Sequence, residues 1–175
     1  MAKKLNTKNI REWAESLEIG EEILLSGIVY TARDAAHKKI AALIKEGKEL
    51  PFRLKDSVIY YAGPTPARKG RVCGAFGPTT SGRMDNYPEL FDNGLAGAIG
   101  KGDRSSTIID ALVRNKSVYF IAIGGAGALA AQHIVACEEI AFSELGCESV
   151  KRLEFKDFPL FVAIDTRGNN IYSGN

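Results

Sequence analysis

Glu21–Gly47 reads EEILLSGIVYTARDAAHKKIAALIKEG, and the change of period inside it decides the fold. The first half, EEILLSGIVYTA, is rich in β-branched and aliphatic residues and reads as a strand. The second half, RDAAHKKIAALIKEG, places Ala36, Ile40, Leu43 and Ile44 on one helical face, with Gly47 positioned to end it. A buried strand that runs directly into an amphipathic helix is the repeating unit of an α/β protein.

Working outward, the same alternation recurs. Upstream, Ile10, Trp13, Ala14 and Leu17 fall at helical spacing over Thr7–Leu17, with Asn9 and Glu12 placed as a capping box and Gly20 as the stop. Downstream, SVIYYAGP reads as a short buried strand and LAGAIG as a tight one. RSSTIIDALVRN reads as a helix and SVYFIAIGG as a strongly buried strand. AGALAAQHIVAC reads as a small-residue helix, and the tail KRLEFKDFPLFVAIDTRGNNIYSG as strands around turns. Extra strands at both ends make this α/β with a mixed sheet rather than a doubly wound fold. With no linker, repeat or low-complexity stretch to divide it, residues 1–175 are expected to form a single domain.

The charges nearly cancel, 23 Lys and Arg against 21 Asp and Glu, which argues against nucleic acid as the main partner. MAKKLNTKNIREW lacks a secretory apolar core, and the apolar stretch Val118–Ala131 is too short and glycine-rich for a membrane helix. A cytoplasmic location is expected, with no membrane partner. Cys73, Cys137 and Cys147 are an odd, widely spaced set without a CxxC pair, expected to be buried or partly buried free thiols rather than disulfides or a self-sufficient metal site. His37 and His133 each lie on an expected helix with no second ligand at i+4, so neither is read as a metal ligand.

Three polar junctions carry the chemistry. Gly77–Asp85, GPTTSGRMD, forces a turn at which a helix could begin, with Thr79, Thr80 and Ser81 offering hydroxyls and Arg83 a planar fork for a carboxylate or phosphate. The plainer reading is a capping turn with Arg83 paired to Asp85. Arg33 stands where a strand meets a helix, or is simply a helix-start arginine paired with Asp34. Lys101 in GKGDRSS stands at another such junction, flanked by glycines, or is a solvated lysine in a flexible turn. Three cations at three similar junctions point to a small anionic ligand. IAIGGAGALAAQ imitates a dinucleotide fingerprint, but Gly124-Gly125-Ala126-Gly127 departs from G-x-G-x-x-G, and close packing of a small-residue helix accounts for it better.

Together, SGIVYTARDAAHKK, YYAGPTP, FGPTTSGRMD, IGKGDRS and FPLFVAIDTRGN resemble one family over about Leu5–Tyr172. It is the β subunit, equivalent to the C-terminal domain, of class I iron–sulfur fumarases and L-tartrate dehydratases. The resemblance implies a swivelling β/β/α domain with a mixed sheet and flanking helices. It also implies a hydro-lyase active only with an α subunit, in an α2β2 assembly. The reaction would be hydration of fumarate to (S)-malate, or else dehydration of tartrate to oxaloacetate; a non-catalytic module for anionic metabolites is the remaining alternative. A four-iron four-sulfur cluster would belong to the α subunit, with no cofactor or metal ligand on this chain. Carried over by position, Arg33, Thr80, Arg83 and Lys101 would bind the dicarboxylate, and Thr79 would stand where the family's proposed base lies, with Arg83 and Lys101 supporting it.

Overall fold

The computed structural model describes residues 1–122 and 127–174. In chain order its elements are β1 (Lys3–Asn6), α1 (Ile10–Trp13), β2 (Glu22–Thr31), α2 (Asp34–Lys45), β3 (Val58–Tyr60), α3 (Glu89–Asp92) and β4 (Gly97–Gly100). There follow α4 (Ser106–Asn115), β5 (Val118–Ile121), α5 (Gly127–His133), β6 (Ile134–Ala141) and β7 (Val150–Ile164). Single 3-10 turns add Thr7–Asn9, Ala14–Ser16 and Ser81–Met84, and Ser143–Glu148 is 3-10 with a kink at Gly146.

The strands form one mixed sheet in the order β1-β2-β3-β4-β5-β7-β6, and β7 also pairs with β2. Strands β2 to β5 run parallel, while β7 lies antiparallel to β5, β2 and β6. The pairings β2-β3-β4-β5-β7 therefore close into a circuit, to which β1 and β6 are added outside. The sheet is built this way because β2 and β7 are long enough to serve several neighbours. Residues Glu22–Tyr30 register against Phe161–Arg152, while Tyr30 and Thr31 also pair with Ile59 and Tyr60.

Alternation along the short central strands produces two cores. Val58 and Tyr60, Ile99, and Val118 and Phe120 face one cluster, with Ile23, Leu25 and Val29 from β2 and Leu153, Phe155, Leu160 and Val162 from β7. Ile59 and Tyr61, Ala98, and Tyr119 face the other, which α2, α3 and α4 cover through Ala36, Ile40, Leu90, Ile108 and Leu112. Burial on both faces explains why β3 to β5 read as continuous apolar runs.

Sequence expectations are corrected at three stretches. The Thr7–Leu17 stretch is one short α-helical turn between two 3-10 turns, and Asn6, not Asn9, caps it by accepting from the Lys8 N–H (2.9 Å); Asn9 instead donates to Glu12 (3.0 Å). The small-residue helix stops at His133, and Ile134–Ala141 is a strand, because β7 offers a pairing edge that the sequence window cannot show. The tail holds one 15-residue strand: Asp157 takes a positive φ of 51° and its N–H is held by Ser26 Oγ (2.9 Å), so the strand bends and continues. Residues Gly124–Ala126 of the glycine run lie outside the described residues. Among the described residues, no helix is long and apolar enough to cross a membrane.

Candidate active site

Because β2, β3 and β4 are parallel, their carboxyl ends share one rim, and all three polar junctions lie there. Arg33 follows β2 as the N-cap position of α2. Lys101 follows β4. The GPTT segment returns to the same rim after a long excursion from β3: Pro78 bridges to Ala62, and the Thr79 N–H donates to the Tyr61 carbonyl (2.6 Å). Thr80 bridges to Lys101, and the Ser81 N–H donates to the Lys101 carbonyl (2.9 Å). Thr79 is half-buried, whereas Thr80, Arg83 and Lys101 are exposed.

Two close approaches make this arrangement possible. A Cβ on Gly100 would collide with Ser81 Oγ and lie 2.9 Å from Tyr61 Cδ2, so glycine at the end of β4 lets the turn lie directly on the strand. A Cβ on Gly63 would lie 2.6 Å from the Cys147 carbonyl, so glycine there admits the Ser143–Glu148 turn and with it Glu148.

Ser81, fully buried, ties the motif down. Its Oγ accepts from the Lys101 N–H (3.1 Å) and bonds to Tyr119 Oη (2.7 Å), which also donates to the Gly102 carbonyl (2.8 Å). Ser81–Met84 is a single 3-10 turn, not the start of an α-helix. Any anion there would therefore be held chiefly by side chains, a correction to the helix-start reading.

The expected ion pairs are also exchanged. Arg83 pairs with Asp34, Nε to Oδ1 at 3.0 Å, rather than with Asp85; Arg33 faces Glu148 at 3.8 Å rather than Asp34. Both contacts use Nε, leaving each guanidinium's terminal nitrogens outside the pair. Asp85 is taken by Arg104, Nε to Oδ1 at 2.7 Å. Lys101 makes no ion pair among the described residues. Beneath Arg33, His37 Nδ1 donates to its carbonyl (2.9 Å) and the ring packs edge-on against Tyr61. Burial pushes His37 down to about 4, so it is neutral at pH 7 and acts as a structural donor. His133 bonds the Lys156 carbonyl (2.8 Å), also a structural contact.

Sequence reasoning missed Arg104 and Glu148 as partners in this rim. The local signal was present only for Asp34 and Asp85, which adjacency assigned to the wrong arginines.

The described residues of this chain do not fit an iron–sulfur cluster. Cys73 is buried, with burial pushing its thiol up to about 11; Cys137 is half-buried on β6; Cys147 is exposed, contrary to the expectation of at least partial burial. Among the described residues, no group of three His, Cys, Asp or Glu side chains could hold a metal ion.

Fold and rim define an α/β domain that presents cations and hydroxyls at the carboxyl ends of parallel strands, the usual place for an anionic ligand in such proteins. Residues 2–175 match the model of the fumarase C-terminus family, and the chain belongs to that family. It is 40% identical over 169 residues to fumarate hydratase 2 of Leishmania major, covering 94% of this chain and 29% of that protein. It is 38% identical to a putative L(+)-tartrate dehydratase subunit beta of Methanocaldococcus jannaschii, covering 97% of this chain and 88% of that one. The Escherichia coli L(+)-tartrate dehydratase subunit beta is 33% identical, with 100% and 89% covered. The chain thus spans less than a third of the length of the fumarate hydratases it matches.

Proposed function

We propose that residues 1–175 act as a single domain, the β subunit of a cytoplasmic two-subunit hydro-lyase that hydrates fumarate reversibly to (S)-malate. The observation that carries this reading is the placement of Thr79, Arg83 and Lys101 on one rim, with the turn hydrogen-bonded to the ends of both β3 and β4. Arg33, Thr80, Arg83 and Lys101 bind the two substrate carboxylates. The Arg83 fork, held through Nε by Asp34 at 3.0 Å, and the Arg33 fork, which faces Glu148 at 3.8 Å, offer their terminal nitrogens to a carboxylate.

In the dehydration direction a proton leaves C3, and negative charge builds on the adjoining carboxylate. Fixed cations stabilise that charge without reorganising. Thr79 is the candidate base. A neutral hydroxyl is a weak base, so its role depends on the field of Arg83 and Lys101. The four-iron four-sulfur cluster belongs to an α subunit in an α2β2 assembly, consistent with the poor fit of this chain's thiols to such a group.

Tartrate is the second reading, favoured by near-equal identity: 38% to one tartrate dehydratase β subunit against 40% to a fumarate hydratase. The chain, reconstituted anaerobically with its cluster-loaded partner, is to be assayed on fumarate, malate and both tartrates. Turnover of fumarate and malate is expected. Turnover of tartrate alone would move the assignment to the second reading, and inactivity on all of them would overturn both.

A further inference from the structure

Arg104 has no place in the proposed chemistry, yet it is the most deeply buried charge on the rim. Its side chain has no exposure, so it does not touch substrate. Its guanidinium lies over the rings of Tyr61 and Tyr119, 5.1 and 4.9 Å from their centroids, and Nη1 and Nη2 have no hydrogen-bond partner among the described residues. Among the described residues its one side-chain hydrogen bond is Nε to Asp85 Oδ1 at 2.7 Å; the other carboxylate oxygen accepts the Ser105 N–H at 2.6 Å.

A buried ion pair is a poor device for stability, because desolvation of both charges opposes their attraction. What this pair supplies is geometry. Asp85 closes the Ser81–Met84 turn, and both its oxygens are fixed by residues three and four positions beyond Lys101. The start of the turn is fixed to the same loop by Ser81 through Lys101. The turn is therefore clamped at both ends onto Lys101–Ser105, with Thr79 entering it and Arg83 inside it. The two tyrosines that enclose the guanidinium follow β3 and lie on β5, which references the clamp to the sheet.

We infer that Arg104 is a positioning residue: through Asp85 it sets the Thr79–Arg83 turn in register with Lys101 for the reaction proposed above, on which this assignment rests. Arg104→Met in the reconstituted complex is expected to lower kcat/KM about 100-fold, the scale of a misplacement of about 1 Å. Asp85→Asn should do the same, and the double variant should be no worse than either alone. Arg104→Lys, which keeps a cation for Asp85 and for the rings, should recover at least about tenfold of the loss.

Amide hydrogen exchange of the same proteins gives a readout independent of turnover. Arg104→Met should accelerate exchange at Thr79, Ser81 and Lys101 while leaving the β2 and β7 amides as in the wild type. Wild-type exchange at those three amides, or full activity of Arg104→Met well below its melting temperature, would overturn the inference while leaving the proposed function intact. A wild-type complex inactive on every diacid would instead overturn the function, with the exchange data still deciding whether Arg104 holds the turn.

Discussion

Gly100→Ala tests whether the turn lies on β4 as described. The added methyl meets Ser81 Oγ head-on, with Tyr61 Cδ2 at 2.9 Å and Ser81 Cβ at 3.2 Å, and both neighbours are buried. Ser81 cannot turn aside without giving up its bonds to the Lys101 N–H and Tyr119. Overpacking of this kind costs about 1–3 kcal/mol, and each hydrogen bond lost adds about 1 kcal/mol. A total of about 3–5 kcal/mol corresponds to a melting temperature lowered by roughly 6–20 °C for a chain of this size. Ser81→Gly removes the obstructing hydroxymethyl group, so the double variant should be more stable than the sum of the single effects by at least about 1 kcal/mol. Thermal and urea unfolding of the four proteins, followed by circular dichroism, measures the coupling. A Gly100→Ala protein melting within 2 °C of wild type (roughly the low end of one kcal/mol), or strictly additive effects, would refute the close approach.

Asp34→Asn should reduce kcat/KM about tenfold by releasing Arg83, while stability changes by no more than about 1 kcal/mol, because the pair is partly exposed; steady-state kinetics and melting separate the two. Thr79→Ala should lower kcat by about 100-fold or more, and Thr79→Ser should keep most of it, if the hydroxyl moves the C3 proton; solvent-isotope exchange into malate reads this step. His37 binds its proton more weakly folded, at about 4, than unfolded, near 6.5. Between those values the unfolded chain takes up the proton first, so stability present above about pH 6.5 falls as the pH drops towards 4, by about 3 kcal/mol. His37→Asn, which keeps a donor for the Arg33 carbonyl, should flatten that part of the urea-midpoint profile; an unchanged profile would contradict the burial argument.

The α/β core was legible because its signals are local. Glu22–Thr31 and Asp34–Lys45 follow the two halves of the opening stretch almost residue for residue. The three short parallel strands were legible as apolar runs. What was hidden depends on distant partners. Asp157 and Pro159 look like breakers in LEFKDFPLF, and only pairing with β2 carries the strand through them. Ile134–Cys137 continue a helical small-residue pattern until β7 supplies an edge. The rim cations were legible by type and junction, but not their partners. Arg104, in the polar run GKGDRSS, carries no local signal of burial; its burial follows from two tyrosines placed by separate strands. Sequence neighbours Arg83 and Asp85 suggest a pair, whereas the turn sends Arg83 to Asp34 at the start of α2 and Asp85 to Arg104 in the loop between β4 and α4.

The closed circuit of pairings also sets an order of events during synthesis. Strands β2 to β5 can associate as they emerge, but the circuit has no closing member until Val150–Ile164 is made, and that strand must then find β2 across more than a hundred residues. Contacts of such sequence separation are the slow ones in folding. The Ser143–Glu148 turn that brings Glu148 to Arg33 is anchored by that same late strand, since the Lys151 ammonium holds the Cys147 and Ser149 carbonyls (3.0 and 3.1 Å). A nascent chain therefore carries its arginines and threonines long before it can hold them in place, and the cationic rim is completed only once Val150–Ile164 has been made.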